Sequence, residues 1–332
     1  MTYTVIQRRQ FVAGLGAAAV AATWPNVAAA SEANASFPSR PLRFIVPFPS
    51  GSGTDTTART FAKKIGEITG KGVAVENKPG GNGFIAVQSV LNAPADGHTV
   101  FVGSNSTLST NAALFKKLPY DPLKDFEPIS LLTRGACVII VPGKSIYKTL
   151  KDLIEDARKR PAALNYGSGS ISYKLYSEWL NELTGMRTTE IAFKGAGDAI
   201  NAVVSGVVDF AVVDASGAIE LINGGRVRAL AFTAPQRSHL IPGVPNAAEA
   251  GVPDYLAFNW VAAAVSAKTP PAVVKELVSL FQRAGAAPDI KEYYSRQSTS
   301  LLVTQPFELA RYQKEEIDRW KRLAETAKIE LQ

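Results

Sequence analysis

The sequence predicts an α/β protein with largely parallel sheets, and three observations carry that prediction. From Arg43 onward, short apolar runs of strand length alternate with longer segments whose apolar residues recur at helical spacing. Glycine- and serine-rich loops follow several strand-like runs and lead directly into the helical ones, as the turns of βα units do. The 302 residues that follow residue 30 exceed what one core usually holds, which implies two lobes of roughly 150 residues each.

Residues 1–30 read as a secretory leader. Arg8 and Arg9 precede Phe11 and a weakly apolar stretch, Val12 to Ala22, and Val27-Ala28-Ala29-Ala30 places small residues before a cleavage point after Ala30. An Arg-Arg pair followed by x-Phe, with an Ala/Gly-rich core, points to the twin-arginine variant. The apolar stretch falls short of the ~20 residues that span a bilayer, which argues against an anchor. Ala33-Asn34-Ala35 offers a second small-residue cleavage point. The mature chain is therefore expected to be exported and to lie outside the cytoplasm. Its net charge is +5 instead of +7, since the leader carries two Arg and no acid.

The elements follow in order. Leu42–Phe48 is a strand closed by Pro49, and Asp55–Thr69 a helix with Phe61, Ile65 and Ile68 on one face and Gly70 at its stop. Val73–Glu76 is a short strand, Pro79–Gly83 a turn, Phe84–Asn92 a helix, and Asp96-Gly97 a turn into strand Thr99–Gly103. Cys137 to Val141 reads as a buried strand. The middle of the chain repeats the alternation: helix Leu150–Lys159, strand Leu164–Tyr166, helix Tyr173–Thr184, strand Thr189–Phe193, helix Asp198–Ser205, then strands Val207–Val213 and Val227–Phe232. Strand Phe258–Val265, helix Pro271–Ala284 behind Pro270, and a long amphipathic helix Phe307–Lys328 complete it.

Composition removes several function classes. Hydrophobic content of 46% with 20% charged residues is ordinary for a globular protein. Cys137 is the only cysteine, so neither an internal disulfide nor a thiolate metal cluster can form. With only His98 and His239 there is no multi-histidine metal site, and no cofactor is expected. The Lys and Arg are scattered and the chain is read as exported, which argues against nucleic acid; a mild positive charge favours a small anionic ligand.

Three loops are placed for chemistry: Pro49-Ser50-Gly51-Ser52-Gly53-Thr54-Asp55, Gly167-Ser168-Gly169-Ser170-Ile171-Ser172, and Lys194-Gly195-Ala196-Gly197-Asp198. Each sits at the carboxyl end of a strand, where open α/β sheets bind ligands, and each aims helix N-terminal N–H groups into that crevice, a favourable place for an anion. Helix capping by Thr54, Ser172 and Asp198 is the structural alternative. The residues expected to contact a ligand are Phe48, Ser50, Gly51, Ser52, Gly53, Thr54 and Asp55 on one side. On the other they are Ser168, Gly169, Ser170, Ile171 and Ser172, with Lys194, Gly195 and Ala196. Enzyme signatures are missing. None of these three loops ends Gly-Lys-Ser/Thr, Gly51-Ser52-Gly53 lacks a dinucleotide fingerprint's third glycine, and no Gly-x-Ser-x-Gly elbow occurs. Asp55, Asp198, Asp209 and Asp214 read as helix starts and strand ends, so the chain is not expected to be an enzyme.

Several further motifs occur in a fixed order: Pro41-Leu42-Arg43-Phe44-Ile45-Val46-Pro47-Phe48; Val75-Glu76-Asn77-Lys78-Pro79-Gly80-Gly81-Asn82-Gly83; and Pro94-Ala95-Asp96-Gly97-His98-Thr99. Leu164-Asn165-Tyr166-Gly167-Ser168, Phe193-Lys194-Gly195, Pro245-Asn246-Ala247-Ala248-Glu249-Ala250-Gly251 and Trp260 follow. In this order and spacing the chain, from about Phe37 to its end, closely resembles the Bug family, the periplasmic substrate-binding components of tripartite tricarboxylate transporters. The resemblance implies a type II periplasmic-binding-protein fold, two α/β lobes that close like a flytrap about two crossover hinge strands. Lobe one would be residues 37–134 plus 258–332 and lobe two residues 135–257, with hinges near Glu127–Arg134 and Tyr255–Trp260. It also implies a ligand carboxylate held by backbone amides and ordered water from the first loop and the Tyr-Gly-Ser loop, and a two-subunit membrane permease as partner of a monomeric receptor.

Two departures from the family pattern bear on the ligand. Ser50, Gly51 and Ser52 stand where the family usually has Pro-Gly-Gly, adding hydroxyls. After Ser168 the chain reads Gly169-Ser170-Ile171-Ser172-Tyr173-Lys174-Leu175 in place of further glycines, a serine and a His-Leu pair. Both rims thus mix polar and apolar groups, which fits a dicarboxylate with an apolar middle, aromatic as in terephthalate or aliphatic of medium length. An exported enzyme on the same fold and a ligand sensor docking on a membrane receptor are the alternatives.

Overall fold

The computed structural model describes residues 37–326 and 329–332, so the expected leader lies outside the described residues. The chain starts with β1 (Leu42–Val46), α1 (Gly53–Thr69), β2 (Val73–Asn77), α2 (Phe84–Leu91) and β3 (Thr99–Ser104). A π-helical turn, Ser106–Thr110, then runs into α3 (Asn111–Leu114), and β4 spans Phe126–Pro142. The middle holds α4 (Leu150–Lys159), β5 (Asn165–Ser168), α5 (Ile171–Thr184), β6 (Thr189–Ala192), α6 (Ala196–Ser205), β7 (Phe210–Asp214), α7 (Ala215–Asn223) and β8 (Val227–Phe232). The remainder is β9 (Phe258–Ser266), α8 (Pro271–Ala286), α9 (Pro288–Ser295), β10 (Thr299–Leu301) and α10 (Pro306–Thr326).

The strands form one sheet in the order β2-β1-β3-β9-β4-β7-β5-β6, with β8 and β10 also paired to β4. The β1–β2, β1–β3, β5–β6 and β5–β7 pairs are parallel, as the alternating pattern implies. β4 and β9 join the two halves and run antiparallel to their neighbours. Up to Ala136, β4 pairs with β9; from Cys137 it pairs with β7 and from Val138 with β8. The change of partner therefore falls just past the expected Glu127–Arg134 span. On the returning strand, the Ala257 carbonyl accepts from the Cys137 amide (3.2 Å) and the Thr233 hydroxyl (2.5 Å), inside the expected Tyr255–Trp260 span.

Apolar faces explain the packing. Phe61 and Ile65 of α1 and Phe281 of α8 bury against Phe44 of β1 in the core of the first half. Val203, Val208, Val213 and Ile140 lie in a core of the second half. The last turns of α10 depart from the expected division: Trp320 and Ala324 pack into a core with Tyr176, Tyr166 and Phe210. Trp320 lies 5.6 Å from the ring of Tyr176 and 5.7 Å from that of Trp179.

The π-helical turn, α3, α7, α9, β10 and the full length of β4 were not anticipated. Ser-Thr-Leu-Ser-Thr has no apolar period, Ala215-Ser216-Gly217-Ala218 carries no large apolar residue to mark a helix face, and β10 is three residues long. Val207, expected in a strand, is exposed in the turn before β7.

Candidate ligand-binding site

The first loop is shaped by its own aspartate. Asp55 is 2% exposed, and its carboxylate accepts from the Gly51 amide (2.8 Å), Arg59 Nε (2.9 Å), Asn77 Nδ2 (2.8 Å) and the Ser50 hydroxyl (3.4 Å). Burial opposes its charge, but the donors of Arg59, Gly51 and Asn77 prevail and hold its carboxyl below the usual range. Gly51 takes a left-handed φ of +83° to bring its amide round, a conformation glycine adopts without strain. Ser52 caps α1 through the Asp55 amide (3.2 Å), and its carbonyl takes the Thr56 amide (2.9 Å). Among the described residues, the Gly53 and Thr54 amides are left without a protein acceptor, at the positive end of a 17-residue helix.

The second half faces this end with more helix N-termini. α5 starts after Ser170 and α6 after Gly195, and neither has a side-chain cap. Their first-turn amides lack the partner that an N-cap side chain ordinarily supplies. Gly169 lets the two turns meet, since a Cβ there would overlap the Ala196 amide nitrogen and the Gly195 carbonyl carbon. A Cβ on Gly195 would lie 3.3 Å from Pro49, so the third loop rests against the first.

Between them runs a continuous cleft. A mouth of about 350 Å³ is lined by Phe48, Gly80–Gly83, Ser106, Gly169, Ser170, Ile171, Phe193 and Lys194. It narrows to about 20 Å³ between Ser52, Gly53, Thr54, Ser104, Ser170, Tyr173, Ala196, Asp214 and Asn259. It then widens to about 310 Å³ along Gly51, Thr56, Thr133, Gly135, Gly197 and Ser216. The larger cavity, about 890 Å³ and lined by Arg134, Ala136, Phe258, Arg237 and Lys291, adjoins the wide part of the cleft, sharing Tyr294, Gln297 and Thr299 with it. Alternation along a strand puts Arg134 and Ala136 opposite Thr133 and Gly135.

Of the residues expected to contact a ligand, Phe48, Gly51, Ser52, Gly53, Thr54, Gly169, Ser170, Ile171, Lys194 and Ala196 line this cleft. Ser50 and Gly195 lie beside it, shaping the loops. Asp55 is committed to the first loop. The Ser168 hydroxyl donates to Glu190 (2.5 Å), which also pairs with Lys174 (2.9 Å). Ser172 is buried against Ser106 (3.0 Å) and Thr110 (2.8 Å) of the π-helical turn, tying α5 to the first half.

Sequence reasoning missed Ser104, Ser106, Tyr173, Asp214 and Asn259 as lining residues. Ser104 and Asp214 end strands whose carboxyl ends face the crevice, a signal that was available. Tyr173 and Asn259 come from α5 and β9, far apart in the sequence, and meet only in the fold. The Tyr173 hydroxyl and Asn259 Nδ2 both donate to Asp214 Oδ2, at 2.5 and 3.1 Å. Burial pushes the Asp214 carboxyl up, with those two donors pulling the other way, and pushes the Tyr173 hydroxyl far above its usual range.

Residues 57–329 match the family model described as the tripartite tricarboxylate transporter family receptor. The chain belongs to this receptor family. Its solved relatives include the periplasmic binding protein BugD, 29% identical over 89% of this chain and 100% of that one, with a TM-score of 0.84. A protein of R. palustris, Rpa4515, solved with adipate, is 29% identical over 88% and 98% of the two chains, TM-score 0.84. MatC (Rpa3494) from Rhodopseudomonas palustris, with bound malate, is 31% identical over 86% and 99%, TM-score 0.81. The Bug resemblance and the periplasmic-binding-protein fold read from the sequence are thus borne out for this receptor.

Proposed function

We propose that the receptor captures an organic dicarboxylate in the periplasm and delivers it, as a monomer, to a two-subunit membrane permease without chemical turnover. The observation that carries this reading is the convergence of the α1, α5 and α6 N-termini on one cleft, the latter two without side-chain caps. Each end is worth about +0.5 of a charge, so together they favour an anion with no cationic side chain in the narrow part. The mouth adds an apolar stretch, Phe48, Ile171 and Phe193, and then Lys194, which would take the second carboxylate. A carboxylate at each end with an apolar middle fits that sequence of surfaces, whether aliphatic of medium length or aromatic as in terephthalate. Relatives solved with adipate and malate support the same class.

Residues 37–134 with 258–332 would form one lobe and 135–257 the other, closing about Arg134–Cys137 and the lead into β9. Residues 1–30 would direct export and be removed. A thermal-shift screen of mono-, di- and tricarboxylates tests the ligand class. A ligand at a hundred times its dissociation constant stabilises by about 2.7 kcal/mol, and dicarboxylates should give the largest shifts. A screen in which no dicarboxylate raises the melting temperature overturns the proposal.

A further inference from the structure

The cavity of about 890 Å³ is larger than any part of the cleft it adjoins, and its chemistry is different. Arg134, Arg237, His239 and Lys291 line it, and none of its lining residues is Asp or Glu. Arg237 has an acidic partner, Glu249 at 2.7 Å, which stands outside the lining. Among the described residues no carboxylate lies within 4.0 Å of Arg134 or Lys291. A cation on a convex surface is ordinarily just solvated. A concave wall of one sign instead focuses its field into the enclosed space and concentrates counter-ions there.

The cations stand on different elements: Arg134 on β4, Lys291 on α9, Arg237 and His239 in the loop after β8. Charges spread over separate walls suit an anion with at least two charged groups. Arg134 is set in place, since its guanidinium lies 4.6 Å from the centroid of the Phe258 ring. A guanidinium held by its face keeps the N–H fork at its edge for a carboxylate or phosphate. Phe232, Phe258, Leu301 and Val303 add apolar surface to the walls, and Gln282, Gln297 and Gln305 add uncharged donors.

The position of the cavity gives it a second property. Its walls come from both halves, residues 232–239 from one and 282–305 from the other, and these meet in a hydrogen bond between the Ser238 and Ser298 hydroxyls (3.1 Å). Successive residues of β4 serve the two spaces: Thr133 and Gly135 line the cleft, Arg134 and Ala136 the cavity. A rotation of the halves about Arg134–Cys137 therefore alters both at once.

We propose that this cavity is a second anion site, for a multiply charged oxyanion with an apolar body, and that its occupant changes ligand affinity in the cleft. The coupling rests on the two-lobe reading given above; the anion site does not. Linkage makes the coupling reciprocal, so the cleft ligand changes the second anion's affinity by the same factor.

Titration calorimetry on the mature protein with benzene-1,3,5-tricarboxylate, inorganic pyrophosphate and benzoate tests the site. The tricarboxylate, which alone combines multiple charge with an apolar body, should bind most tightly. Arg134→Gln and Lys291→Gln should each weaken it at least about fivefold, and Arg134→Lys should recover only part of the loss, because an ammonium lacks the fork. Lys194→Gln, at the cleft mouth, should leave it within about twofold. Pyrophosphate binding more tightly than the tricarboxylate overturns the apolar body. No binding of either, or a loss in Lys194→Gln with none in Arg134→Gln, overturns the site. Adipate then reads the cleft: with the tricarboxylate saturating, its affinity should shift at least about threefold in wild type and stay unshifted in Arg134→Gln. An unshifted affinity in wild type overturns the coupling. If adipate and every other dicarboxylate fail to bind while the tricarboxylate still depends on Arg134, the dicarboxylate reading falls and the anion site stands.

Discussion

At the scale of single residues, the cleft separates groups that line it from groups that only shape its walls. Ser168 is the sharpest case, because its position after a strand made it a natural ligand contact, whereas its hydroxyl is already given to Glu190. Ser168→Ala should therefore cost about 1 kcal/mol of stability and leave ligand affinity within about twofold, as denaturant melts and calorimetry would show. Gly169→Ala forces its new Cβ into the Gly195–Ala196 backbone, so it should destabilise by roughly 1–3 kcal/mol and weaken binding at least tenfold. Lys194→Gln should weaken a dicarboxylate several-fold while leaving a monocarboxylate unchanged. Asp55 predicts a pH dependence. Its folded pKa is depressed, so its stabilisation is complete above the unfolded value near 3.8 and is lost as pH falls through the folded value. Melting temperature measured against pH should fall more steeply below pH 4 in wild type than in Asp55→Asn.

At the scale of elements, most of the strands and longer helices were legible because their apolar residues keep a period of two or 3.6. Three loops at strand ends were legible for the same reason, through the position that glycine and serine take between periodic segments. What escaped is irregular or cooperative. The π-helical turn Ser106–Thr110 has no periodicity to read, and its polar side chains are explained only by what they meet, Ser172 on α5 and Glu316 on α10. Glu316 is itself buried, accepting from Trp260 Nε1 (2.7 Å), Arg319 (2.8 Å) and Ser109 (3.1 Å). The reach of α10 across to Trp179 and Tyr176 was equally invisible, since an amphipathic pattern shows that a helix packs but not on what. Trp320 is 1% exposed between these rings, so Trp320→Ala should cost about 3–5 kcal/mol, readable in an equilibrium urea melt.

At the scale of the whole molecule, the proposed closure predicts a change of shape. The radius of gyration from small-angle scattering should fall with a bound dicarboxylate and barely move with a monocarboxylate, because a ligand shifts an equilibrium only by its differential affinity for the two states. Equal compaction by both would exclude a two-ended clamp. The late return of β9 to the first half has a different consequence, for the order in which the molecule can be made. β3 is complete by Ser104, but the strand that covers its free side, β9, begins only at Phe258. A growing chain thus carries an unpaired sheet edge through the synthesis of more than 150 residues, and pairing over so long a separation is slow. A nascent chain stalled before Phe258 would hold that edge open to any other strand, so holding factors that shield edges should matter most while residues 105–257 are being added.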